Sequence, residues 1–170
     1  TLTGPGGSGK TRLCIEVGRQ AVEAFADGAV WVELAPLADA ELVSQTVAAA
    51  LGIRAQPGRS AGDALAEHLA QRRVLLVLDN CEHVVDAAAE LALRLLQEAA
   101  GVHVLCTSRE RLGVTGERTW PVPPLGLPPR GAHDLDRVLE AEAVRLFMDR
   151  AAMVLPVLAV DATTASAIAE

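Results

Sequence analysis

Eight residues, Gly4-Pro5-Gly6-Gly7-Ser8-Gly9-Lys10-Thr11, constrain this chain more than any others. They fit the pattern G-x-x-x-x-G-K-[ST], which works only as a loop between a strand and a helix. Glycines permit the positive φ values that turn successive backbone N–H groups inward as a concave nest. Leu2-Thr3 reads as the end of a strand. From Lys10 a helix is expected to run to about Phe25, with Cys14, Val17, Gly18, Ala21, Val22 and Phe25 at helical spacing on one face. The positive end of that helix adds to the nest. Bare N–H groups and a dipole converging on one point suit a triphosphate. The candidate nucleotide contacts are therefore Gly4, Pro5, Gly6, Gly7, Ser8, Gly9, Lys10, Thr11 and the adjoining Arg12. Lys10 would reach the β- and γ-phosphates, and the Thr11 hydroxyl would ligate Mg²⁺. Of the 15 Lys and Arg residues only Lys10 is a lysine, so the chain keeps a slim ammonium where the loop needs one.

The rest of the pattern alternates strand and helix. Ala29 to Leu34 reads as a strand. Asp39 caps a helix through about Leu51 with Gly52 at its end, and Ser60 and Asp63 open another to about Gln71. Val74 to Leu78 and Val102 to Cys106 are unbroken apolar runs of the kind a sheet covers on both faces. Val84 to Leu95 carries a helical stripe between them, and Thr119 to Val122 is a short last strand. Strands separated by helices of this length imply right-handed crossovers and a doubly wound, mainly parallel α/β sheet. After a Pro- and Gly-rich linker the pattern turns all-helical, from about Leu139 to Met153 and again from Thr163. The expected division is 1–125 for the nucleotide-binding domain and 126–170 for the linker and first helices of a helical domain.

A metal-holding carboxylate is expected from across the sheet. Val74-Leu75-Leu76-Val77-Leu78-Asp79 is an apolar strand ending in an acid, the Walker B form that accompanies a P-loop, and it delivers Asp79 beside the loop. Thr11 and Asp79 are the candidate metal ligands. Fast P-loop hydrolases usually place a second acid at the next position, but this chain has Asn80, which can orient a water and cannot take its proton. Glu82 is the candidate substitute, and His83 reads as a structural or exposed histidine rather than a site residue. Slow turnover is expected. The strand ending Cys106-Thr107-Ser108-Arg109 should present Thr107, Ser108 and Arg109 to the γ-phosphate, with Arg109 sensing it. The candidate catalytic set is Asp79, Asn80, Glu82 and Arg109.

Composition narrows the partners. A formal charge of −7 suits no broad contact with a polyanion. Only four residues are aromatic, Phe25, Trp31, Trp120 and Phe147, so the core must be aliphatic. Cys14, Cys81 and Cys106 are widely spaced and form neither a disulfide framework nor a zinc pattern. No apolar run approaches the roughly 20 residues that cross a bilayer. No membrane contact is expected, and the location expected is cytoplasmic. The chain starts without Met and stops inside a helical pattern, so it is expected to be a piece of something longer.

Several stretches together resemble the STAND class of signal-transduction NTPases, the NB-ARC-like ATPase module of bacterial transcriptional regulators of the SARP and LuxR kind. They are Thr1 to Gly7, Val30-Trp31-Val32-Glu33-Leu34-Ala35-Pro36-Leu37, Leu76-Val77-Leu78-Asp79-Asn80-Cys81-Glu82-His83, Thr107-Ser108-Arg109-Glu110 and Glu142-Ala143-Val144-Arg145-Leu146-Phe147. The resemblance implies a sheet order of 5-1-4-3-2, with Thr107-Ser108-Arg109 on the strand between those of Walker A and Walker B. It also implies an ATP/ADP switch with Mg²⁺, ADP holding a closed form and ATP opening it. Output would pass to DNA through domains outside this segment, and nucleotide-dependent self-association is left open. Gly126-Leu127-Pro128-Pro129 looks like the family's GLPL motif but sits too early, so adenine contacts are expected outside the segment. The competing readings are a turnover ATPase of AAA type, a small-molecule kinase, and an interaction domain with a relict P-loop. Asn80 argues against the motor, and no Arg-rich lid supports the kinase. Intact Gly4, Gly9, Lys10, Thr11 and Asp79 argue against the relict.

Overall fold

A computed structural model of the chain describes residues 1–54, 56–129 and 134–154, with Leu135 by its backbone alone. Strand β1 (Leu2–Thr3) passes through the glycine loop into α1 (Lys10–Ala21). There follow β2 (Ala29–Glu33), α2 (Val43–Ala50), α3 (Ala61–Leu69), β3 (Leu75–Asp79), α4 (Val85–Glu98), β4 (His103–Ser108) and β5 (Trp120–Pro121). The strands pair in parallel in the order β2-β3-β4-β1-β5. This is the expected 5-1-4-3-2 sheet. Leu2 pairs with both Thr107 and Trp120, so the glycine loop leaves the sheet beside the carboxyl end of β4, one strand from Asp79.

The crossover from β1 to β2 runs one way along the sheet and the later ones run back. Right-handed connections therefore leave α1 on one face and put α2, α3 and α4 on the other. Period-two alternation divides β3 accordingly. Leu76 and Leu78 join Val32, Val43, Val47, Leu65, Leu69, Leu91 and Leu95 in the main core. Leu75 and Val77 join buried Leu2 and Cys14 in a smaller cluster under α1, edged by the partly buried Ala21, Phe25, Leu105 and Val122. Every residue of β3 is buried, which explains its unbroken apolar run.

Element ends differ from the expectations in physically sensible ways. The first helix stops at Ala21 and tightens into a 3₁₀ turn over Val22–Ala24, because Phe25 turns extended and Gly28 (φ 83°) swings the chain into β2. Asp39 caps a 3₁₀ turn, Ala40–Leu42, rather than α2 itself; its carboxylate accepts from Glu41 N at 2.9 Å. Ser60 does open α3, accepting from Asp63 N at 3.1 Å.

Contacts separate the chain into two compact units, Thr1–Pro123 and Pro124 onward. In the second, α5 (Leu135–Glu140) and α6 (Glu142–Val154) replace the single helix expected from Leu139 to Met153. Asp134 caps α5 through Asp136 N at 3.1 Å, and Ala141 is extended, which breaks the run. The main chain of Gly126 is tied to the start of α6, donating to Glu142 Oε2 at 3.1 Å and accepting from Ala143 N at 3.1 Å. The helix expected from Thr163 lies outside the described residues.

Candidate functional site

The candidate site forms where β1, β3 and β4 end. Gly4, Gly7 and Gly9 take φ of 153°, 77° and 88°, the left-handed region that side chains disfavour. Gly4 is also pressed from above: a Cβ there would lie 2.4 Å from the carbonyl oxygen of Val122, just past β5. Gly9 serves as the N-cap of α1 without any side-chain cap, leaving the first helical N–H groups directed at the loop. Lys10 is only 8% exposed, and a buried ammonium needs partners. Its Nζ donates to the carbonyls of Gly4 and Pro5, both at 2.9 Å. Ser8 Oγ is buried with no partner.

Asp79 is 5% exposed and is held by two hydroxyls. Thr11 Oγ1 donates to Asp79 Oδ1 at 2.9 Å, and Thr107 Oγ1 donates to the same oxygen at 2.5 Å. Thr107 Oγ1 in turn accepts from Asn80 N at 2.8 Å. One carboxylate thus ties together α1, β3 and β4. Asn80 stands at φ 66°, the only described non-glycine residue with positive φ. Asn is among the few side chains that tolerate this conformation. It swings the chain out of β3 into a 3₁₀ turn, Cys81–His83.

That turn is pinned from two sides. Cys81 is fully buried and its Sγ donates to Leu78 O at 3.5 Å. A hydrogen bond with Cys106, followed by burial, pushes the Cys81 thiol far up from its ordinary range. His83 Nε2–H donates to Leu34 O at 3.0 Å, which ties the turn to the residue just past β2. Glu82 between them is 16% exposed at its side chain; Oε1 accepts from Arg109 Nε at 3.2 Å and Oε2 is buried without a partner. The Arg109 side chain is 68% exposed and reaches the loop, with Nη2 3.9 Å from where a Cβ on Gly6 would stand.

A cleft of about 460 Å³ gathers Gly6, Gly7, Gly9, Lys10, Thr11, Arg12, Asn80, Glu82, Thr107 and Arg109. Gly4, Pro5, Ser8 and Asp79 do not line it. Ser108 is turned away, fully buried, and accepts from Glu110 N at 3.3 Å. Larger hollows of about 580 Å³ beside α4 and about 830 Å³ over α2 and α3 carry neither nest nor hydroxyl–carboxylate cluster. Chemistry, not size, selects the cleft.

The donor set fits nucleotide with Mg²⁺. Thr11 Oγ1 and Asp79 supply adjacent hard oxygens, and Mg²⁺ on a polyphosphate needs only one or two protein ligands. Among the described residues no three His, Cys, Asp or Glu side chains form a dedicated metal cluster. The carbonyls that hold Lys10 are neutral acceptors, which a charged phosphate outcompetes.

Reading the sequence alone missed three features: Val122 closing over Gly4, Thr107 bridging Asp79 to Asn80, and the Glu82–Arg109 pair. The last joins residues 27 apart in the chain. Only the register of β3 against β4 could have suggested it.

With this geometry in view, comparison with known proteins gives a consistent picture. A family profile described as an AAA domain matches residues 1–113. A Mycobacterium bovis protein with the provisional description of HTH-type transcriptional regulator is 41% identical over 170 residues, all of this chain but 18% of that one. An uncharacterized protein of Mycobacterium tuberculosis is also 41% identical over 170 residues, covering 40% of its length. The chain therefore spans well under half of the curated relatives it matches. Among solved structures, Cdc6p from Pyrobaculum aerophilum superposes with a TM-score of 0.55 at 18% identity, over 89% of this chain and 42% of that one. That likeness concerns the fold. No described helix is long and apolar enough to cross a membrane.

Proposed function

Because the chain belongs to the AAA domain family of P-loop ATPases, we propose that it is the ATP/ADP-binding switch module of a larger bacterial regulator, hydrolysing ATP slowly with Mg²⁺. The observation that carries this reading is Asp79, joined to Thr11 of the loop helix and to Thr107 of β4 and followed by Asn80 rather than an acid. Members of such families generally bind nucleotide with Mg²⁺. The ion would be held by Thr11 and Asp79 and, when bound, would neutralise charge on the phosphate oxygens. Lys10 would leave its two carbonyls for the β- and γ-phosphates. The amides of Gly6 to Thr11 would line the polyphosphate, with Arg12 at the rim, and Arg109 would meet the γ-phosphate. Asn80 would orient a water without accepting its proton. Ser108, fully buried and accepting from Glu110 N, would brace the turn after β4 instead of touching nucleotide.

The STAND-class assignment, the division into a nucleotide-binding domain at 1–125 and the start of a helical domain at 126–170, and a cytoplasmic setting belong to this proposal. So does output through DNA-binding regions elsewhere, which the provisional description of the mycobacterial relative supports. A switch needs contacts made in one nucleotide state and lost in the other. Arg109, the exposed cation beside the loop, is suited to that part. The family also supports a turnover motor, and Asn80 is the residue that sets this reading aside.

Calorimetry with Mg-ADP and a non-hydrolysable Mg-ATP analogue tests the proposal. Lys10→Ala should weaken both nucleotides by about 100-fold or more, the equivalent of roughly 3 kcal/mol. Arg109→Ala should weaken the ATP analogue more than ADP. Turnover above roughly 10 s⁻¹, the median for enzymes, or equal losses for both nucleotides in Arg109→Ala, would refute the switch.

A further inference from the structure

We propose that Glu82 is a latch for Arg109: its fixed carboxylate holds the mobile guanidinium beside the loop, and the γ-phosphate of ATP must take the arginine from it. Glu82 thereby sets how strongly ATP is favoured over ADP. The inference rests on the switch reading above and deepens it.

The two partners differ in freedom. Glu82 stands on a turn nailed down by buried Cys81 on one side and by the His83–Leu34 bond on the other, and its side chain is mostly covered. Arg109 leaves the end of β4 on a long side chain that is two-thirds exposed. When the pair breaks, the arginine moves and the glutamate stays. The distance to cover is short, since the guanidinium already stands over Gly6. Phosphate and carboxylate bind guanidinium with the same forked geometry, so they compete for one group instead of recruiting different ones.

Opening the latch carries a penalty that ADP avoids. Glu82 Oε2 is buried with no partner, and Arg109 is the only partner of Oε1 among the described residues. Withdrawing Arg109 leaves a largely buried carboxylate unpaired, an unfavourable state. That penalty falls on the nucleotide whose terminal phosphate draws the arginine away. A simple rim ion pair with no part in nucleotide choice predicts otherwise, because its loss would affect ATP and ADP alike.

The test is the ratio of affinities for the Mg-ATP analogue and Mg-ADP, measured by calorimetry on the full-length protein. Glu82→Gln removes the competing charge at nearly constant shape. The ratio should move about two- to fivefold toward ATP, the span of a partly exposed ion pair. Glu82→Asp, which keeps the charge but withdraws it by one methylene, should move it the same way and stands in if the first variant folds poorly. With Arg109→Ala in the background, Glu82→Gln should change nothing, since the latch then has nothing to hold. A folded Glu82 variant with an unchanged or lowered ratio overturns the latch. If Arg109→Ala abolishes discrimination while both Glu82 variants leave it intact, only the latch fails. If the unaltered protein binds both nucleotides equally and Arg109→Ala changes nothing, the switch reading fails and takes the latch with it.

Discussion

The two faces of the sheet are built from the same strands and end up unlike each other. On one, α2, α3 and α4 cover Val32, Leu76, Leu78 and Cys106, and the buried cluster is deep and almost wholly aliphatic. On the other, α1 alone covers Leu2, Leu75 and Val77 around Cys14; Trp31, Val17 and Val22 on that side stay 38–39% exposed. The helix on the sparse face is also the one whose first turn carries Lys10 and Thr11. The deep core and the candidate site are thus drawn from different faces and meet through β3, whose leucines alternate between the clusters and whose last residue is Asp79. The lesson is a division of labour: the deep face holds the strand ends still, and the sparse face orients the loop helix against them.

The largest effect that would test this division comes from two neighbours on β3. Leu76→Ala, at a fully buried position of the deep face, should cost about 3–5 kcal/mol, the upper part of the range for such truncations. Leu75→Ala, on the sparse face, should cost about 2 kcal/mol, because fewer contacts are lost and water enters more easily. Urea unfolding of both variants measures the difference, and equal losses would end the comparison. Next in size is Asn80→Ala at the point where the faces meet. Forcing alanine to φ 66° should destabilise by about 1–2 kcal/mol, and Asn80→Gly by less.

The smallest effect is a pH slope. Burial, and after it the charge of Asp79, pushes the Cys14 thiol up to about 12 from an ordinary value near 9.0. A raised folded value means that the unfolded chain gives up its proton first. The stabilisation is therefore complete below pH 9 and is lost as pH rises toward 12. Denaturation midpoints should be flat up to about pH 8 and fall above 9, and Cys14→Ala should make that fall shallower, leaving the share that the buried Cys81 thiol contributes. A fall unchanged in Cys14→Ala would show that the sparse face does not shield its centre from water.

Much of this was legible in the residues because it depends on local rules. The G-x-x-x-x-G-K-T spacing announces a strand, a left-handed loop and a helix, since only glycine adopts φ near 80° freely. The unbroken run Val74 to Leu78 announces a strand covered on both faces. Helix ends were harder, because Phe25 and Ala141 leave the helix for reasons of chain direction that no propensity carries. The site divided the same way. Thr11 and Asp79 were readable from motif and spacing, whereas Ser108 and Thr107 are adjacent in sequence and opposite in orientation. Only the phase of β4 in the sheet decides which of them faces Asp79.

By itself the sequence determined a glycine loop on a parallel α/β sheet, with a lysine and a threonine opening the helix after it and an aspartate closing an apolar strand. These are consequences of spacing along the chain, which steric limits on φ and the two periodicities of strand and helix convert directly into local shape. Tertiary structure alone decided that Thr107 bridges Asp79 to Asn80, that Val122 closes over Gly4, and that Glu82 faces Arg109. Each depends on strand register, and register is set by how both faces of the sheet pack at once. No stretch of sequence contains that information separately.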